Sequence, residues 1–335
     1  MDRWSLETEI VELELTQPFV IARETWDVAR NVFVHLHYQD GTRGIGEVCP
    51  DERWAETPGS VTAELEKADL EHLAGPHDLE GVLDVLPAGS ARCALDIALH
   101  DLAAKSAGIS VAALIGAGGR PLPPTSVTLS IQSPEEMVER ARRYSDHPIL
   151  KMKVGFDGDV DALAAVRSVF GGQIRVDTNE GWDVPTAIER LRQMERFDVE
   201  LCEQPIHAGD LDGLSEVTSS TSIPIYADED VCTSADVARL AGGVDGVNLK
   251  LRKTGGIREM LRAIATARAH GLGVMLGCDL DSGVAATAQA SIAALVDKAD
   301  IDGPLLLAHD PHPGVAYERG RVTLPPGPGL GVRSR

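Results

Sequence analysis

The chain is poor in cysteine and pairs none of it in sequence. Cys49, Cys93, Cys202, Cys232 and Cys278 are scattered and form no Cys-x-x-Cys motif. That leaves no sign of a disulfide framework or zinc ribbon and reads as free thiols in a reducing compartment. Long apolar runs are also missing. No stretch approaches the roughly eighteen consecutive apolar residues of a membrane helix, and the opening MDRWSLETEIVELELT lacks the basic start and apolar core of a secretory signal. The expectation is a cytoplasmic protein without a membrane span. Positive charge is in short supply: 31 Lys and Arg face 52 Asp and Glu, for a formal net charge of -21. Such a balance repels phosphate backbones and anionic lipid, which disfavours nucleic acid and membrane surfaces as partners. Nucleotide loops are absent too, with no Gly-x-Gly-x-x-Gly after the first strand and no Gly-x-x-x-x-Gly-Lys-Ser/Thr.

What is present is rhythm. A length of 335 residues, 43% of them hydrophobic and 25% charged, suits one large barrel-type domain plus a smaller one. From Glu7 to Glu47 apolar residues alternate, as in Ile10 to Leu15 and Val32 to Tyr38, with Gln39-Asp40-Gly41 as a turn. This predicts a small antiparallel sheet. Between Ser60 and Gly108 the period becomes helical, and Gly116 to Gly119 with Pro121 to Pro124 mark a boundary. Beyond it, short apolar runs ending in polar residues alternate with helical stretches. They are Val127 to Ile131, Leu150 to Val154, Ile174 to Asp177, Glu200 to Glu203, Ile225 to Asp228, Val244 to Leu249 and Gly273 to Leu276, with an eighth near Ile301. The fold class is therefore α/β, with a parallel sheet closed into a barrel; an open doubly wound sheet is the alternative.

Barrels of this kind carry their chemistry on the rim at the C-terminal strand ends. There the second run ends Lys151-Met152-Lys153, two cations on one side of a strand. Each ammonium would lower the pKa of the other, leaving one lysine able to act as a base. The next three runs deliver Asp177, Glu203 and Asp228. Their mutual repulsion calls for a cation, and all-oxygen donors suit Mg²⁺ better than Zn²⁺. The sixth run adds Lys250, across a closed ring from Lys153.

The fragments LKMKVG, RVDTNEGW, ELCEQPI, PIYADED and NLKLRKTGGI, with DGTRGIGEV near the start, together resemble the enolase superfamily and within it the muconate lactonizing enzyme subgroup. The resemblance implies a modified (β/α) barrel over residues 121–310 and an α+β cap formed by residues 1–120 with the tail 311–335. It implies Asp177, Glu203 and Asp228 as Mg²⁺ ligands, Lys153 and Lys250 as acid/base catalysts, and Lys151 as a supporting cation. The activity implied is proton transfer at the carbon beside a metal-bound carboxylate of a small substrate. Enolase-superfamily sites are a known pattern of pKa tuning, so that chemistry is borrowed from the family.

Asp300-Ile301-Asp302 followed by Gly-Pro-Leu is similar to the dipeptide epimerases, where such a pair grips the substrate α-ammonium. Thr128, Cys278 and Leu280 would line the substrate site. Asp279 departs from the family pattern and, with Glu24 in the cap loop, would make the cavity acidic, favouring cationic or apolar side chains over acidic ones. Arg23 is the competing candidate for that loop position. Alternatives are a proline- or betaine-type epimerase or dehydratase, an N-succinylamino acid racemase or o-succinylbenzoate synthase, and a non-catalytic metabolite-binding barrel. The resemblance also admits a homo-oligomer.

Overall fold

The alternating N-terminal segment folds as a three-stranded antiparallel meander, β1 (Trp4–Val20), β2 (Thr25–Tyr38) and β3 (Arg43–Val48). The computed structural model describes residues 3–333; Met1, Asp2, Ser334 and Arg335, the extreme ends of the expected cap segments, lie outside the described residues. β1 and β2 run in register from Trp4 opposite Tyr38 to Glu14 opposite Val28, then shift at a bulge before Phe19 meets Trp26. The bulge bends the hairpin tip, and Ile131 N–H donates to Val20 O at 3.0 Å. The loop carrying Arg23 and Glu24 is thereby fastened over the barrel mouth.

The expected helical region contains an eighteen-residue helix, Ser90–Ala107, buried from Ser90 to Ala104. It lies directly on β3 because that strand presents Gly44 and Gly46. A Cβ on either would stand 2.0 Å from Ala98 O or 1.9 Å from Ala94 O. Removing two side chains on the sheet, opposite Ala94, Ala98 and Leu102 of the helix, lets the backbones touch.

The βα rhythm resolves into eight parallel strands: β4 (Val127–Leu129), β5 (Ile149–Lys153), β6 (Gln173–Asp177), β7 (Val199–Glu203), β8 (Ile225–Ala227), β9 (Gly246–Lys250), β10 (Gly273–Gly277) and β11 (Lys298–Asp300). Their spatial order is their chain order, from β4 to β11. A doubly wound sheet would reverse order at a switch point, and none occurs. The edges are joined where Thr125 bridges Ala299 and Ile301 N–H donates to Thr125 Oγ1 at 2.8 Å. Local signals set the intervening helices. For Pro134–Arg143, Ser133 and Glu136 form a reciprocal capping box, Pro134 opens the first turn, and Met137 and Ala141 face inward.

Cap and barrel are joined at helix ends. Glu47 at the end of β3 is fully buried and accepts from Ser282 N at 2.8 Å and Ala285 N at 2.9 Å, at the start of the Gly283–Ile292 helix. Asp96 accepts from Ile257 N at the start of the Ile257–Ala269 helix. Arg92 donates to the carbonyls of Thr254 (2.9 Å) and Gly255 (3.1 Å), where the Leu251–Thr254 turn ends. Acids at N-termini and a base at a C-terminus match the helix dipoles, which offsets part of the cost of burying them, although burial still raises the pKa of Glu47 and lowers that of Arg92. The tail divides its contacts: Tyr317 Oη donates to Ile301 O at 2.6 Å, and Leu330 N–H donates to Asp101 of the Ser90–Ala107 helix at 2.7 Å.

Gly46→Ala should destabilise the fold by about 1–3 kcal/mol through overpacking against the helix backbone. Urea denaturation checks this, and an unchanged midpoint would contradict the direct strand–helix contact.

Candidate active site

Side chains two residues apart on a strand share a face, and that alternation builds the site in layers. Arg175, Leu201, Tyr226 and Met275 fill the lower interior, with Arg175 held by Glu200 at 2.6 Å and by Ala299 O at 2.7 Å. One step higher, Asp177 and Glu203 stand above Arg175 and Leu201, and Asp228 continues the β8 strand just past its end. All three acids are essentially inaccessible to solvent. Above them a cavity of about 590 Å³ opens under the cap.

The expected site residues converge here. Lys151, Lys153 and Lys250 line the cavity, as do Thr128, Cys278, Asp279, Leu280, Asp300, Asp302 and Glu24. β5 and β9 are four strands apart in an eight-strand ring, so Lys153 and Lys250 enter from opposite walls. Neither lysine of the β5 pair reaches away to solvent: Lys151 is 3% and Lys153 6% exposed.

Each ammonium has acid partners. Lys151 Nζ lies 2.7 Å from Asp300, 2.8 Å from Glu203 and 2.9 Å from Asp177. Lys153 Nζ meets Asp177 at 2.6 Å and Asn179 Oδ1 at 2.9 Å. Lys250 Nζ lies 3.0 Å from Asp228, whose other oxygen is held by Lys253. These contacts correct the expectation for Lys151, that a neighbouring lysine would depress its pKa. Burial opposes the charged form of Lys151, yet Asp177, Asp300 and Glu203 outweigh it and raise its pKa well above the ordinary value. Lys250 is likewise raised, burial being overcome by Asp228 and Asp279. The acids respond unequally. Burial opposes ionisation of Asp177, but Lys151 and Lys153 hold it low; Glu203 is pushed up to about 8 by burial and by Asp177.

Two expectations about the cavity wall change. Asp279 adds no free negative charge, because Arg252 donates to both its oxygens at 3.1 and 3.2 Å and keeps it ionised against burial. Arg23 and Glu24 both reach the cavity, and they do different things. The Arg23 guanidinium is taken up by Glu229 at 2.9 Å, Asn179 O at 3.3 Å and Glu180 at 3.6 Å. Glu24 has no ion pair among the described residues, and burial with nearby Asp51 raises its pKa. Of the acid pair, Asp300 is engaged at both oxygens, by Ser126 Oγ (2.6 Å) and Lys151. Asp302 accepts from Thr128 N at 2.7 Å and is pushed up to about 6 by burial and Asp300. Its other oxygen meets only the Cys278 thiol, at 3.7 Å.

Asp177, Glu203 and Asp228 share one rim, but the lysines stand between them. Among the described residues no three acidic, histidine or cysteine side chains are placed as a metal-binding group. The chemistry of the donors nonetheless fits a hard divalent cation. Glu203 Oε2 and Asp228 Oδ2 are buried without a hydrogen-bond donor and meet only lysine ammonium groups at ionic distance. The backbone beneath is shaped accordingly: Asn179, Glu180 and Gln204, just past β6 and β7, have φ of 43°, 66° and 36°. Left-handed non-glycine residues gathered beside one rim mark a functional site held in place by its surroundings.

Residues 135–335 match the enolase C-terminal domain-like family and residues 5–116 the mandelate racemase/muconate lactonizing enzyme N-terminal domain. The chain belongs to this family of the enolase superfamily. Among its curated relatives, a hydrophobic dipeptide epimerase of Roseobacter litoralis is 37% identical, covering 96% of each chain. An L-Ala-D/L-Glu epimerase of Bacteroides thetaiotaomicron is 34% identical over 96% of this chain and 85% of its own. Among solved structures, the substrate-liganded L-Ala-D/L-Glu epimerase of Bacillus subtilis superposes with a TM-score of 0.93 at 32% identity, covering 100% of this chain and 99% of that one. The dipeptide epimerase of Cytophaga hutchinsonii, complexed with Mg and D-Ala-L-Val, gives 0.92 at 31% identity, covering 98% and 95%.

Sequence reasoning passed over Arg252, Lys253 and Asn248. Lys253 grips Asp228, and Asn248 Nδ2 donates to Glu203 at 2.6 Å. A signal was available: Lys250, Arg252 and Lys253 crowd three cations into four residues at a strand end beside three acids.

Mg²⁺ titrated calorimetrically should bind the wild-type chain and bind Asp228→Asn at least about tenfold more weakly. Equal affinity for both would remove Asp228 from the ligand set.

Proposed function

We propose that this chain is a Mg²⁺-dependent dipeptide epimerase in which Lys153 and Lys250 exchange the α-proton of the carboxy-terminal residue from opposite faces. The observation that carries the reading is the entry of these two lysines into one cavity from strands four apart. The names of the curated relatives support it.

Asp177, Glu203 and Asp228 would hold the ion. When bound, a divalent cation would supply positive charge to the substrate carboxylate and draw these acids away from the lysine ammonium groups. The chain's residues do the rest. Lys151, which lines the cavity, would face the charge that develops as the α-proton leaves. One of the two opposed lysines takes that proton, and the other returns one to the far face. Phe19, whose ring centroid lies 5.9 Å from Lys153 Nζ, forms an apolar wall with Trp26, Leu280 and Leu306 that sheds water from the reacting carbon. Asp302, with Asp300 behind it, receives the free α-ammonium, a group that an N-acylated amino acid lacks.

The side chain of the epimerised residue is drawn toward Glu24. Arg23 is committed to Glu229 and Glu180, so the cap loop offers no free cation to an acidic side chain. Lysine, arginine or a large apolar residue at that position fits better than glutamate.

Lys153→Ala and Lys250→Ala should each abolish epimerisation while retaining α-proton exchange in D₂O with one stereoisomer only, a different one for each variant. Epimerisation near the wild-type rate in either variant would sink the two-base assignment, and an unsaturated product would mark a dehydratase instead.

A further inference from the structure

Arg252 is a charged side chain only 5% exposed, set on the helical turn Leu251–Thr254 directly after Lys250. Three carboxylates from two other parts of the chain converge on it. Its Nε donates to Asp279 Oδ2 at 3.1 Å, and one Nη donates to Asp279 Oδ1 at 3.2 Å and Asp51 Oδ2 at 3.3 Å. The other Nη lies 3.8 Å from Glu56, and the guanidinium carbon sits 6.0 Å from the Trp54 ring centroid. Asp279 follows barrel strand β10, whereas Asp51, Trp54 and Glu56 belong to the cap segment after β3.

The charges on this wall do not balance. Asp51, Glu56 and Asp279 line the cavity, and Arg252 is the ion-pair partner they share among the described residues. Glu56 is further satisfied by Ser90 N at 2.7 Å and Ser90 Oγ at 2.5 Å. Glu24 and Glu52 line the same cavity and have no ion pair among the described residues. Arg23, Arg30 and Lys250 line the same cavity but are paired with Glu229, Glu12 and Asp228, so one guanidinium serves three acids beside two more. A planar fork with five donors reaches all three in one geometry; a lysine ammonium is a point charge without that reach.

We propose that Arg252 is a positioning and specificity-determining residue, which pins the cap segment Asp51–Glu56 to Asp279 beside Lys250 and leaves the cavity wall with an excess of negative charge matched to a cationic side chain on the substrate. The specificity half rests on the dipeptide epimerase reading; the clamp half does not. Arg252 touches neither substrate nor reacting atoms in this account. It acts through the acids it holds, so its removal changes discrimination between substrates as well as the mobility of the segment.

The test combines two readouts on the full-length chain. The first is amide hydrogen exchange of residues 51–56, and the second is kcat/KM for L-Ala-L-Lys relative to L-Ala-L-Leu. Arg252→Met should speed exchange of the segment at least about tenfold and shift the ratio toward the lysine dipeptide by at least about tenfold, chiefly through KM. Arg252→Lys, which keeps the charge without the fork, should restore the ratio to within about threefold of wild type while the segment stays loosened. Asp51→Asn removes one acid without exposing a bare buried charge, and should move the ratio the other way, toward the leucine dipeptide. Unchanged exchange in Arg252→Met overturns the clamp whatever the substrate is. If Arg252→Met does not fold, a ratio in Asp51→Asn that stays put or moves toward lysine overturns the specificity role. Failure of the wild type to turn over any dipeptide overturns the dipeptide reading and with it the specificity half, and the exchange result still judges the clamp.

Discussion

Everything on the barrel rim depends on placing about as many buried cations as buried anions within a few ångströms. Lys151 alone lies within 3 Å of Asp177, Glu203 and Asp300. Removing one member of such a network strands the others without water, at a cost of about 3–5 kcal/mol for a broken buried pair. Lys151, Lys250, Asp177 and Asp228 therefore stabilise each other's ionised forms, whereas burial and Asp177 push Glu203 the other way. In the proposed mechanism that coupling would let one rim serve both as a binding site for a carboxylate and as a pair of opposed proton carriers.

Such a network needs a rigid frame, and the frame comes from the helix-end contacts between cap and barrel. Glu47 and Asp96 accept from the first turns of two barrel helices, while Arg92 covers the end of a third. Gly44 and Gly46 bring β3 flush against the long cap helix, so the cap loops hang from a fixed platform. The hairpin tip with Glu24 and the Asp51–Glu56 segment are then held over the cavity by Arg23 and Arg252, each spending its charge on protein acids.

Much of this was legible in the sequence because strand periodicity is local. Polar residues ending apolar runs gave Lys151, Lys153, Asp177, Glu203, Asp228 and Lys250 their places on one rim, and eight such runs gave the barrel. Pairings between distant residues were not legible. The proximity of Lys151 to Lys153 suggested mutual depression, whereas Asp177, Asp300 and Glu203 together hold Lys151 charged, and Asp300 lies 149 residues further on. Asp279 read as a free acid for the same reason: nothing local tells that Arg252, 27 residues earlier, turns back to it, or that Asp51 joins from 201 residues away. Glu47 stood only at the end of an alternating segment and inside the DGTRGIGEV fragment, and its capping role becomes visible only when the Gly283–Ile292 helix is packed against it.

The central claim is that the two lysines act on a single carbon, the one beside the carboxylate held at the cavity floor. Proton NMR of L-Ala-L-Lys incubated with the enzyme and Mg²⁺ in D₂O locates that carbon directly. The lysine α-proton should be replaced by deuterium as the D-epimer accumulates, with the alanine α-proton untouched. Exchange at the alanine α-carbon, or accumulation of epimer without deuterium incorporation from solvent, would contradict it.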